Sequence, residues 1–169
     1  MRMKENLVGE ALNYIEDDGK LYLKAQGHIS AALCADLRSL VFDRFDQPAP
    51  VTAMYVDLSL CDYMDSTFMG LLVGFNKRLL RSGGKRLFIV APSQPAADLL
   101  SGLGLSSLVE ILDKKSFPEG MKNIIKTRNA NSDLLLKAHE NLMELSEENR
   151  KRFSTLHAVL KSQSESGKE

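Results

Sequence analysis

Five residues that could do chemistry fall close together in this chain of 169 residues: Asp57, Asp62 and Asp65, then Ser66 and Thr67. Carboxylates so spaced could hold Mg²⁺, but acids around a strand end more often serve as caps and turn formers. A hydroxyl pair directly after Asp65 reads as the opening of a helix. Helix N-termini expose unpaired N–H groups and a partial positive charge, so a phosphate on Ser66 would be well tolerated there. The plainer reading makes Asp65 or Ser66 an N-cap, worth about 1 kcal/mol. On these residues alone the plainer reading is favoured. Elsewhere the chemistry is sparse. His28, His139 and His157 are far apart, and none stands at a recognisable spacing from a nucleophile. Cys34 and Cys61 are too few and too distant for a disulfide framework or a CxxC site. Gly83-Gly84 precedes a strand instead of opening a helix, and there is no GxGxxG or P-loop. No catalytic residue, metal or cofactor is expected.

The elements that must position Asp65 and Ser66 can be read on either side. Leu12 and Tyr14, then Leu21, Leu23 and Ala25, alternate with polar residues around Asp18-Gly19, a hairpin signal. Ser30 can cap a helix carrying Leu33, Leu37, Leu40, Val41 and Phe45 on one stripe, which ends before Pro48 and Pro50. Val51–Leu58 reads as a strand covered on both faces, and Ser59 to Asp65 as a loop. The second helix has the stripe Phe68, Leu71, Leu72, Phe75 and Leu79 and stops at Ser82-Gly83-Gly84. A strand at Arg86–Ala91, a helix from Gln94 with Pro95 in its first turn, and a strand at Leu108–Leu112 complete the alternation. This predicts an α/β fold, a mixed sheet of about five strands with a parallel core and an N-terminal antiparallel edge strand, packed by helices.

The domain is expected over 1–116 and a helical extension over 117–169. A brief helix is predicted from Ser116 to about Arg128, then a long amphipathic helix over 133–161, with a disordered end. Leu135, Ala138, Leu142, Leu145, Leu156 and Val159 fall on heptad positions, interrupted by the polar Asn149 and Arg152. That stripe can pack back on the domain, pair with a second copy as a homodimer, or enter a partner's groove; the first two are favoured.

Lys plus Arg (22) balance Asp plus Glu (22), which gives no electrostatic footprint for nucleic acid or an anionic membrane. No apolar run approaches the ~20 residues that span a bilayer, and MRMKENLVGE lacks the apolar stretch of a signal peptide. A cytoplasmic location is expected.

The stretch Val56-Asp57-Leu58-Ser59, then Tyr63-Met64-Asp65-Ser66-Thr67-Phe68-Met69-Gly70-Leu71-Leu72, resembles the signature of STAS domains, the family of bacterial anti-sigma-factor antagonists. The order of elements from about residue 9 to 115 resembles the whole domain. Two positions depart from the family pattern: Phe68 stands where a Gly is usual, and Ser30 near a usual Asp. The resemblance implies a partner-switching regulator, not an enzyme, with Ser66 as phosphoacceptor, Thr67 as a secondary candidate and Asp65 as the acid that positions it. Asp62, Tyr63, Met64, Phe68, Met69 and Ser30 would contact the partner. That partner would be an anti-sigma factor and serine kinase of the histidine-kinase-like ATPase type, with a metal-dependent serine phosphatase to reset the switch. The alternative is a non-phosphorylated STAS scaffold, or an accessory subunit of a signalling complex or transport system.

Overall fold

The structure, a computed structural model, describes residues 9–166. Asp18 and Gly19 both take positive φ (52° and 73°), the geometry of a two-residue hairpin turn. They join β1 (Ala11–Asp17) to β2 (Lys20–Ile29), paired antiparallel from Ala11↔Gln26 to Asp17↔Lys20. Ser30 then accepts the Ala32 N–H (3.2 Å), so it caps a short 3-10 turn that leads into α1 (Cys34–Phe45). Three crossovers follow through α1, α2 (Ser66–Arg81) and α3 (Gln94–Gly102). They lay down β3 (Ala53–Met64), β4 (Phe88–Val90) and β5 (Glu110–Leu112), each parallel to its neighbour.

The sheet has six strands in the order β5-β4-β3-β2-β1-β6. Its sixth member, β6 (Lys122–Asn123), pairs with Asn13 and Tyr14 and takes the edge expected for β1. It occupies a stretch for which a brief helix is predicted; Pro118 and Gly120 (φ 90°) keep that stretch from closing helical turns. Successive residues of each strand face opposite layers. Leu21, Leu23, Met54, Val56, Leu58 and Ile89 meet the helices, whereas Tyr22, Ala53, Tyr55 and Val90 meet the segment carrying Phe117 and Met121. Tyr22, Tyr55 and Phe88 lie in register on three neighbouring strands and stack at 5.2 and 4.8 Å between ring centres. Burial on both faces is why β3 reads as a continuous apolar run.

The long C-terminal helix is two helices, α4 (Ser132–Met143) and α5 (Glu147–Ser166). Ser146 breaks it by accepting the Asn149 N–H (3.0 Å), an N-cap followed by two glutamates in the new first turn. Helix continues over Ser162–Ser166, where disorder was expected; residues 167–169 lie outside the described residues. The two helices fold into a hairpin, and Leu134, Ala138, Leu142, Phe153 and Leu160 are buried. The stripe is spent on the chain's own domain, with Leu156 and Val159 left exposed.

Candidate functional site

β3 runs six residues beyond the predicted strand end. Between the pairs Lys24↔Asp57 and His28↔Tyr63, β3 advances six residues while β2 advances four. The two extra residues form bulges, which re-aim the strand end and break the alternation by which a strand is recognised. Asp57 Oδ1 accepts the Ser59 N–H (2.8 Å) in the first of these irregularities. At the strand's close, Asp65 donates its N–H to Ile29 O (2.9 Å), and its Oδ1 accepts the Phe68 N–H (3.0 Å). Asp65 is therefore the N-cap of α2, and Ser66 is the first residue of the helix.

The residues of this segment separate by burial. Asp62 is exposed, and Tyr63, 41% exposed, packs its ring against His28 at 4.5 Å. Leu60, 50% exposed, stands beside them on the bulged strand. Ser30 is half-buried, its hydroxyl donating to Glu10 Oε1 (2.8 Å). Met64, Thr67, Phe68 and Met69 are buried. Phe68 is packed into the core at the helix start, so this conformation offers neither it nor Met64 to a partner. Two nearby thiols are kept protonated. Burial, then the Asp65 and Glu10 carboxylates, push Cys34 upward; burial raises Cys61 to about 11, opposed by its contact with Tyr63 O and helped by Asp62.

Ser66 itself is half-buried, and its hydroxyl is engaged. Ser66 Oγ lies 2.7 Å from His139 Nε2, across 73 residues of sequence. His139 is 2% exposed, its Nδ1 is 2.7 Å from Leu135 O, and the Phe153 ring meets it edge-on at 5.2 Å. Spacing in the sequence gives no sign of this pair, because it depends on how α4 is seated. The seat is made by Gly70 and Gly74, one turn apart on α2. A Cβ at Gly70 would run into the Ala138 carbonyl and come within 2.8 Å of Ala138 Cα; one at Gly74 would come within 2.9 Å of Asn141 Nδ2. Asn141 Nδ2 donates to Gly70 O (3.1 Å), and Lys77 Nζ pairs with Glu144 (2.7 Å) further along. Two glycines four apart on a helix were the available signal for such a close approach.

Ser66 also lines an open cavity of about 380 Å³ with Tyr63, Asp65, Met69, Asp98 and Arg152, and His139 is not among its lining residues. Arg152 is held there by Glu148 (3.1 Å) and by Asn149 Oδ1 (3.2 Å). Among the described residues no group of three or more His, Cys, Asp or Glu side chains could hold a metal ion, and no helix is long and apolar enough to cross a membrane.

No curated protein matches the chain. The crystal structure of a candidate anti-sigma factor antagonist from Thermotoga maritima is 23% identical, with a TM-score of 0.54 over 61% of this chain and 86% of that one. The anti-sigma factor antagonist SpoIIAA in its unphosphorylated form is 20% identical, with a TM-score of 0.55 over 60% of this chain and 87% of that one. The phosphorylated form of SpoIIAA, a Bacillus cell-fate determinant, is 19% identical, with a TM-score of 0.50 over 60% of this chain and 89% of that one. At these identities the likeness is one of fold. The family model for the STAS domain matches residues 11–117, well over half the chain. The chain belongs to the STAS domain family.

Proposed function

We propose that this protein is a partner-switching regulator, an anti-sigma-factor antagonist whose state is set by phosphorylation of Ser66. Unmodified, it binds an anti-sigma factor that is also a serine kinase of the histidine-kinase-like ATPase type. Phosphorylated, it lets that partner go, and a metal-dependent serine phosphatase restores it. All of this takes place in the cytoplasm. The observation that carries the proposal is the position of Ser66: first residue of α2, half-exposed, on an open cavity beside the exposed Asp62 and Tyr63. Tyr63, Asp62, His28 and Leu60 supply the docking surface. A phosphate there would bring about two negative charges into a contact already bordered by Asp62 and Asp65. Repulsion and desolvation of that dianion would cost several kcal/mol, enough to turn tight binding into weak. No catalytic turnover by the protein is involved. Pairing of two copies through the tail would use Leu156 and Val159, which the hairpin leaves exposed, and is separate from the switch.

The test is calorimetric titration of the cognate kinase with Ser66→Ala and Ser66→Asp. Ser66→Ala should bind as wild type and take up no phosphate, and Ser66→Asp should bind at least tenfold more weakly. Phosphate incorporation undiminished in Ser66→Ala would reject the assignment. The bond to His139 favours one other reading, a STAS scaffold whose serine only anchors its own tail. Intact-mass measurement of protein purified from its host separates the two, because only the switch yields a phosphorylated species.

A further inference from the structure

The Ser66–His139 contact has a polarity that its surroundings dictate. Leu135 O can only accept, so His139 Nδ1, 2.7 Å away, carries a proton and donates it. In the neutral imidazole Nε2 then presents a lone pair, and the Ser66 hydroxyl donates to it across 2.7 Å. A third group orients the base and the base holds the nucleophile's proton, the relationship by which an alcohol is activated. His139 is buried and walled by Phe153, whereas Ser66 is half-exposed and faces the open cavity. The base is shielded from water while the nucleophile keeps a path to a reagent. Arg152, paired with Glu148, is a cation lining the same cavity, which Asp65 and Asp98 also line.

We propose that His139 is the proton acceptor for Ser66, so that the C-terminal hairpin completes a nucleophile–base pair and makes Ser66 Oγ a reactive phosphoryl acceptor. The substrate class, a phosphoryl donor such as a nucleoside triphosphate held by a kinase, rests on the reading of Ser66 given above; the pairing itself does not. As the bond from Oγ to phosphorus forms, the bond from phosphorus to the nucleoside diphosphate oxygen breaks. The hydroxyl proton passes to His139 Nε2, and the imidazolium so formed stays beside the phosphate now carried on Oγ, as its counter-charge. The hairpin is then part of the site, and detaching it should deactivate the serine.

The experiment needs no kinase. The full-length protein is treated with diisopropyl fluorophosphate, in which the P–F bond breaks as Oγ–P forms, and adducts are located by intact mass and peptide mapping. One adduct is expected, on Ser66, and none in Ser66→Ala. A positioned general base contributes 10²–10⁴-fold, so His139→Gln, which keeps a hydrogen-bonding side chain without a basic nitrogen, should slow labelling at least tenfold. His139→Ala should slow it similarly and regain it with added imidazole. A wild-type protein that does not label overturns the proposal whatever the variants do. So does His139→Gln labelling at the wild-type rate, or either variant labelling faster, which would make α4 a mere cover. An unreactive Ser66 that still switches partner binding sinks the pair and leaves the function standing; a reactive Ser66 without a partner response does the reverse.

Discussion

Ala138 on α4 rests its backbone directly on Gly70 of α2, at a separation that no side chain at position 70 would permit. This contact, and not an apolar stripe alone, fixes the rotation of α4 that brings His139 over Ser66.

Gly70→Ala should therefore force α4 to shift. Overpacking of this kind costs about 1–3 kcal/mol, and the Ser66–His139 bond would be lost with it. Thermal melting should show the destabilisation, and limited proteolysis should cut within 132–166 sooner than in wild type. A melting temperature and digestion pattern equal to wild type would show that α4 does not sit where the structure has it.

Asn149 ties the end of α3 to both helices of the tail. Its Nδ2 donates to Leu103 O and to Leu142 O, both at 2.9 Å, and its Oδ1 accepts from Arg152. Asn149→Leu would remove both bonds, leaving Leu142 O only its helix-end donors and Leu103 O without this one, at about 1–3 kcal/mol. Urea unfolding followed by circular dichroism should report a lower midpoint with a similar slope; an unchanged midpoint would deny these bonds an energetic role.

Asp36 holds the connection between β6 and α4. It accepts the Thr127 hydroxyl, the Thr127 N–H (3.0 Å) and the Arg128 N–H (3.4 Å), with the Arg128 guanidinium at 3.5 Å. Burial pushes its carboxyl upward, but these bonds outweigh burial and hold it below the usual carboxylate range. A depressed folded value means that the stabilisation is present above the unfolded value, about 3.9, and fades as pH falls through the folded one. Asp36→Asn should lower the melting temperature at pH 7 and converge on wild type in strong acid. A constant difference between the two proteins across that range would contradict the assignment.

The two thiols behave oppositely. Cys61 is raised to about 11 and Cys34 higher still, each chiefly by burial. Raised folded values contribute stability below the unfolded value, about 8.5, and that contribution is lost as pH climbs through the folded values. At pH 8 a disulfide reagent should find no thiolate in the native protein and two thiols after denaturation. Rapid native labelling would place one thiol in solvent.

Much of the fold was legible because its local rules agree with one another: the Asp18-Gly19 turn, the both-face apolar β3, the helix stops at Pro48 and Gly83. What resisted reading was non-local or compensated. The bulges in β3 hide strand behind a lost alternation between Ser59 and Met64. The pairing of Lys122–Asn123 depends on a strand edge more than a hundred residues earlier. Ser146 interrupts a heptad pattern that continues on paper across a turn in space. At the site, Asp65 as a cap and Ser66 at a helix start could be foreseen from types and order. His139 could not, because its role depends on a bare backbone patch on another helix; nor could the burial of Met64, Phe68 and Met69, whose apolar character suits a core as well as an interface.

The clamp at Asp36 leaves only a few residues of free tether before α4 begins at Ser132. A ligand so leashed confronts its receptor at an effective concentration on the order of millimolar. Any foreign helix seeking Gly70 and Gly74 must outbid this resident one, so weak visitors are turned away regardless of how abundant the protein is.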